Sequence, residues 1–405
     1  MKVLLAQTVF PACIYAGLAL LPTSLFADTG NAAPSTKDLE KVVKNINYVE
    51  TADPGIALSG YVDVGYIYNF TSSAPNTQGY SADDGAKGDF SVNQVKLVLE
   101  KSLAGNADAL EAGFRVDLMV GEDAGGFSGN AAAAGSGDTL YVQQAYVEMN
   151  LPYGNGINLI VGRFNSMLGF EADERVDNIN ITQGFNAAPD PGPSNGFLAS
   201  YALTEQLSIA GGVINGSGAY TNGGIDTDED GYAVTGAIAL GNEAGNAETQ
   251  MAFHWAPYGD AGVGAGQTQN EHLLGLNWIG TWAPQAFDDK LFLGYNASLW
   301  LGENYSENNS SALFTTSWYA KYQWTDIFST AGRFEYTHNN DGQITGLTAT
   351  GGSDDVYGWT GTLGFDLLEN LLIRAEYRID WGNDVTATPG DNFAHTVAMQ
   401  AVYSF

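Results

Sequence analysis

Along most of the chain, apolar and polar side chains alternate with a period of two, the signature of strands with one greasy and one wet face. In residues 392–405, Phe393, Val397, Met399, Ala401, Tyr403 and Phe405 share one face, and Thr396, Ala398, Gln400 and Ser404 share the other. Further upstream, Leu110, Ala112, Phe114, Val116, Leu118 and Val120 alternate with Glu111, Gly113, Arg115, Asp117 and Met119. Leu371, Ile373, Ala375, Tyr377, Ile379 and Trp381 interleave with Arg374, Glu376, Arg378 and Asp380. The same rhythm predicts strands near 57–70, 90–101, 110–120, 141–151, 156–164, 196–204, 206–215, 231–241, 247–257, 271–282, 290–301, 314–324, 328–338, 356–368, 371–381 and 392–405, sixteen in all. A soluble chain rarely finishes on an exposed Tyr-x-Phe, because nothing follows to cover those rings. In a bilayer the rings face acyl chains and the interface.

The connections between these strands alternate in length. Short ones occupy 102–108, 152–156, 204–206, 241–246, 283–289, 325–326 and 369–370. Long ones occupy 71–89, 122–138, 165–195, 216–230, 258–270, 302–311, 339–355 and 382–391. Seven short turns and eight long loops in strict rotation place both termini on the short-turn side. A soluble sandwich gives no reason for such rotation. The expected fold class is all-β: a transmembrane antiparallel up-and-down barrel of about sixteen strands, with short periplasmic turns and long external loops.

The N-terminus reads differently. Lys2 precedes an apolar run, Val3 to Leu21, which ends in Pro22-Thr23-Ser24-Leu25-Phe26-Ala27, the order of a secretory signal peptide spanning 1–27. Residues 28–56 form a periplasmic segment in which Leu39, Val42 and Val43 predict a short helix, and 57–405 form the barrel. The single cysteine, Cys13, falls inside the leader, so stability must come from a closed hydrogen-bonded barrel and not from disulfides. A net charge of -31 excludes nucleic acid as a partner.

With this layout, the chain resembles the OmpL-like β-barrel porins of Gram-negative bacteria. The resemblance is carried by Leu58-Ser59-Gly60-Tyr61-Val62-Asp63-Val64-Gly65-Tyr66, by Gln144-Ala145-Tyr146-Val147 leading to Ile160-Val161-Gly162-Arg163-Phe164, and by the connection that begins Asn165-Ser166-Met167-Leu168-Gly169-Phe170-Glu171. It implies a passive pore in the cell outer membrane and names no solute. The Pro-Glu-Phe-Gly-Gly loop signature of the general trimeric porins is absent, so homo-oligomerisation is left open. The ending is similar to the terminal-Phe signal through which such barrels meet the barrel-assembly machinery, here at Phe405.

A pore is defined by its inward face. The alternation places Asp63, Glu100, Glu111, Asp117, Glu148, Glu335, Asp366, Glu376 and Asp380 there, with Lys96, Arg115, Lys321, Arg333, Arg374 and Arg378. Of six arginines, four sit mid-strand on the polar face. Facing lipid, each would cost about 2 to 4 kcal/mol near the midplane, so their phase argues for a water-filled interior. Arg333, Arg374 and Arg378 have two readings: pairing with Glu335, Glu376 and Asp380 to brace one wall, or a basic ladder opposite acidic loop residues. Arg163 is not assigned a face, because its strand alternates poorly. The connection 165–195 is the candidate constriction, either folded inward or lying over the outer mouth, with Glu171, Asp173, Glu174 and Asp177 set around Arg175.

Asp226, Asp228 and Asp230 match the start of a calcium loop, but position twelve is Ala237 and a strand follows, so a divalent ion such as Ca2+ has only a weak site there. Gly192-Pro193-Ser194-Asn195-Gly196 has the spelling of a hydrolase elbow in the wrong context, a Pro-rich turn entering a strand. His254, His272, His338 and His395 lack metal-ligand spacing. The expected protein is therefore not an enzyme. It is an outer-membrane channel for passive diffusion of small hydrophilic solutes, mildly cation-preferring and surrounded by outer-membrane lipid. The alternatives are a barrel hydrolase acting through Ser194 and a closed structural or adhesive barrel.

Overall fold

The computed structural model describes residues 55–71, 87–127, 140–187, 189–215, 232–257, 271–288, 290–304, 309–339, 354–382, 385 and 392–405. The expected leader (1–27), most of the expected periplasmic segment (28–56), and the acidic run at Asp226, Asp228 and Asp230 lie outside the described residues. Sixteen antiparallel strands close into one barrel, each bonded to its neighbours in sequence and the first to the last. They are β1 (Ala57–Asn69), β2 (Lys87–Lys101), β3 (Glu111–Val120), β4 (Tyr141–Leu151), β5 (Ile157–Phe164), β6 (Ser194–Ala202), β7 (Leu207–Asn215) and β8 (Tyr232–Gly241). The second half comprises β9 (Ala247–Ala256), β10 (Glu271–Trp282), β11 (Leu291–Asn304), β12 (Asn309–Gln323), β13 (Phe328–Asn339), β14 (Asp354–Leu368), β15 (Leu371–Gly382) and β16 (Phe393–Ser404). One short helix, α1 (Glu122–Phe127), follows β3.

The two faces of this cylinder invert the arrangement of a soluble protein. Trp278, Trp318, Phe334, Trp359, Leu363 and Met399 are exposed on the convex surface. Asp63, Asp117, Asn296, Arg333, Glu335 and Thr360 are buried on the concave one. Side chains two apart share a face, so wherever an apolar exterior backs a polar interior the strand shows this alternation.

Several strands run further than the alternation alone predicts. The β11–β12 ladder continues through Glu303↔Ser310 and Asn304↔Asn309, and β2 and β14 begin at Lys87 and Asp354. Their outer ends are polar on both faces, so the backbone pairing persists where the hydropathy signal stops. Bulges also break the phase, and two of them matter for the interior. Register shifts between Asp63 and Val64 and between Asp117 and Leu118 turn the consecutive pairs Asn93/Gln94 and Gln143/Gln144 inward together, and all four are buried.

Candidate functional site

The barrel interior is organised by the connection between β5 and β6. This stretch, 165–193, carries Met167, Leu168, Phe170, Ile179, Ile181 and Phe185, which are all buried. Six apolar side chains on a loop over the outer mouth would stand in water, and folding inward removes them from it. The loop doubles back as a ribbon along the inner wall. Its outward and return limbs are joined by Ala172 N–H to Asn178 Oδ1 at 2.8 Å, Asn178 Nδ2 to Ala172 O at 2.8 Å and Gly184 N–H to Glu171 Oε2 at 2.5 Å.

The outward limb starts against an apolar wall. Met167 and Leu168 pack with Phe164, Leu198, Ile214, Ala233, Ala252, Leu273 and Trp300. Gln250 Nε2 donates to Met167 O at 2.7 Å, and Asn277 Oδ1 accepts from Gly169 N–H at 3.2 Å. Phe170 then stacks on Tyr319 with centroids 4.4 Å apart. Glu171 meets Arg333 at 2.7 Å, and Glu174 pairs with Lys96, which also reaches Asp117 at 2.9 Å. At the turn of the ribbon, Arg175 Nε lies 2.6 Å from Asp123 of α1, and Nη2 of the same guanidinium donates to Asp123 Oδ1 at 2.9 Å.

The return limb is held by β11 to β15, mostly through its main chain. Arg374 Nη2 donates to Arg175 O at 2.6 Å and its Nη1 to Asn178 O. Arg333 donates to Thr182 O at 2.6 Å and to Gln183 O at 3.2 Å, and Arg378 Nη1 also donates to Gln183 O. Carboxylates take the opposite partners. Glu376 accepts from Ile181 N–H at 2.6 Å and Thr182 N–H at 2.9 Å, and Glu335 accepts from Phe185 N–H at 2.7 Å. Asn186 and Asp190 finish the run against Ser317 at 2.5 Å and Ser298 at 3.3 Å.

This geometry combines and corrects the two readings of the basic residues. Arg333 pairs with Glu335 at 2.8 Å and Arg378 with Asp380 at 2.9 Å, as bracing requires. Arg374 does not follow: its Nε donates to Gln400 Oε1 at 2.7 Å, and Glu376 serves the loop amides instead. Arg175 turns away from its own loop's carboxylates to α1. Arg163 is buried on β5, donating to Val142 O at 2.9 Å with its guanidinium 5.7 Å from the Tyr141 ring centroid.

Burial changes the loop's acids. Removal from water pushes Asp173 up to about 7, with the Glu174 carboxylate beside it adding to the shift. Asp177 is raised to about 7 for the same two reasons, and burial raises Asp190 to about 8. Burial also raises Glu171, against the pull of Arg333.

Near the short-turn ends of the strands, inward-facing charges are only half buried: Glu100, Glu111, Glu148, Glu248 and Asp366 against Arg115 and Lys321. Arg115 is itself paired, with Glu100 at 3.1 Å and Asp117 at 2.8 Å. Ser194 opens β6 and its hydroxyl donates to Gly192 O at 3.4 Å, an ordinary turn contact. Among the described residues, no group of three or more His, Cys, Asp or Glu is arranged to hold a metal ion.

Residues 55–405 match the family model described as "Putative beta-barrel porin-2, OmpL-like". The chain belongs to this porin family. Solved structures with the same fold include the outer-membrane channel DcaP of Acinetobacter baumannii, at 13% identity and TM-score 0.60, covering 88% of this chain and 99% of that one. An anion-selective porin from Comamonas acidovorans aligns at 10% identity and TM-score 0.58, covering 86% and 99% of the two chains. Salmonella typhi OmpF in complex with daunomycin aligns at 12% identity and TM-score 0.60, covering 88% and 100%. A comparison with curated protein sequences returns no match. The porin is thus an outer-membrane barrel of the channel-forming kind.

Proposed function

We propose that this porin lets small hydrophilic solutes diffuse passively across the outer membrane, with a mild preference for cations. The observation that carries the charge preference is the imbalance in the short-turn half of the lumen. There five half-exposed carboxylates, Glu100, Glu111, Glu148, Glu248 and Asp366, outnumber Arg115 and Lys321. Inside a low-dielectric wall such an excess raises the local concentration of cations and lowers that of anions. The remaining inward charges, from Asp63 and Lys96 to Arg378 and Asp380, are buried where the loop packs on the wall, so they do not add to this excess. Outer-membrane lipid surrounds the apolar belt, and the exposed Phe405 ring offers the assembly contact.

The test is the reversal potential of the purified protein in a planar bilayer across a potassium chloride gradient. Its sign should report potassium passing more easily than chloride, and Glu148→Gln with Asp366→Asn should move it toward zero. Chloride preference in the unaltered protein would reject the charge reading, and a membrane without conductance steps would reject the pore.

A further inference from the structure

Arg333, Arg374 and Arg378 sit on one wall of a barrel proposed to conduct ions, where a row of cations is expected to face the solute. Their hydrogen bonds point elsewhere. Arg374 gives two of its nitrogens to the carbonyls of Arg175 and Asn178. Arg333 takes those of Thr182 and Gln183, and Arg378 also takes that of Gln183. All three are buried, with relative exposures of 1% for Arg333, 4% for Arg374 and 1% for Arg378.

The charge on each is also answered locally. Arg333 lies against Glu335 and Glu171. Arg378 lies against Asp380. Arg374 reaches Gln400, whose amide donates to Asp63 at 2.6 Å. A transverse field needs cations and anions separated across a water-filled gap. Here the acidic loop lies on the arginine wall itself, so the opposite charges are adjacent and their field at a distance is small.

We infer that Arg333, Arg374 and Arg378 are positioning residues of the constriction: they fix the path of loop 165–193 by clamping its main chain, and ion choice is made elsewhere in the lumen. A planar fork that satisfies two carbonyls at once is a property of guanidinium, and an ammonium cannot reproduce it. This inference rests on the pore reading above, and the experiment separates the two.

Arg374→Lys and Arg378→Lys keep the charge and lose the fork, whereas Arg374→Gln loses both. Each variant is first checked for a closed barrel by its heat-dependent mobility on a gel, then studied in planar bilayers and with trypsin. Arg175 is the only trypsin site between 165 and 193, so cutting there reports release of the ribbon. The lysine variants should behave like the glutamine variant: noisier open-channel current, cleavage after Arg175 faster by about tenfold, and an unchanged reversal potential. If Lys preserves quiet current and protease resistance while Gln shifts the reversal potential, the arginines act through their charge and the inference falls. Should the unaltered protein give no conductance, the pore reading fails. The inference then stands or falls on the cleavage rates alone.

Discussion

Gly60 and Phe405 close the barrel. Gly60 N–H donates to Phe405 O at 3.0 Å and Phe405 N–H returns to Gly60 O at 2.9 Å, so the last residue of the chain pairs with the first strand. The Phe405 ring lies over the glycine: a Cβ at position 60 would stand 2.9 Å from the ring and 2.2 Å from Lys96 O. Gly60→Val should therefore strain the seam by about 1 to 3 kcal/mol. Refolding into detergent, followed by the heat-dependent gel shift, should show a lower yield of closed barrel. Phe405→Ala should be milder at this seam, because both main-chain bonds survive.

The loop and α1 are joined through Arg175 and Asp123, which are both fully buried. Asp123→Ala removes the carboxylate beside a buried guanidinium, and breaking such a pair on one side costs about 3 to 5 kcal/mol. The ribbon should loosen while the barrel stays closed. Hydrogen exchange resolves the two: amides of 172–182 should lose protection, and those of β10 to β15 should keep theirs.

Loop docking should weaken as pH rises. Asp173 and Asp177 sit at about 7 and Asp190 at about 8 in the docked loop, above the ordinary aspartate value of about 3.9. Asp173 faces Glu174, Lys96, Arg163 and Asp123. Asp177 faces Glu174, Lys96, Arg115 and Arg374. Asp190 faces Ser298, Asn296 and Glu171. The docked state binds more protons than the released one between the two values. Its stabilisation by these groups is complete below about 4 and is lost as pH climbs through 7 to 8. Amide protection of 178–186, corrected for intrinsic exchange, should fall by about tenfold or more over that rise. Asp190→Asn should flatten the upper part of the decline; protection that is constant or increasing with pH would contradict the assignment.

Leu363 and Thr362 test the two faces of a single strand. Leu363 is exposed on the outer surface of β14 and Thr362 is buried inside. Leu363→Arg should destabilise the barrel in lipid by about 2 to 4 kcal/mol, the cost of a charge near the midplane. Urea unfolding in vesicles measures it, and an effect within error would place position 363 away from lipid.

The strands were legible because lipid and water select opposite side chains, and a two-residue period records that choice in segments such as 110–120 and 371–381. It faded where the cause faded. Residues 302–304 and 309–311 pair as strand although their sequence is polar, and Asn93 and Gln143 sit at bulges that reset the phase. On β8 and β9 the inward positions are small, including Ala233, Ala237 and Ala252, so the wet face there looked apolar. The charged wall residues were found by phase alone. Their partners were not: Asp123, Gln400 and the carbonyls of 175–183 come together only through the fold, and no spacing in the chain encodes which carbonyl an arginine will take.

The central claim is that water and solute pass along the face bearing Glu148, while the face bearing Met399 meets lipid. Cys13 is the single cysteine of the sequence, so Cys13→Ser gives a background in which single cysteines can be placed at will. Glu148→Cys and Met399→Cys are each treated with a charged, membrane-impermeant thiol reagent during bilayer recording. Current through the Glu148 variant should change stepwise on modification, and current through the Met399 variant should not. The reverse pattern would mean that the polar face does not line the conducting path.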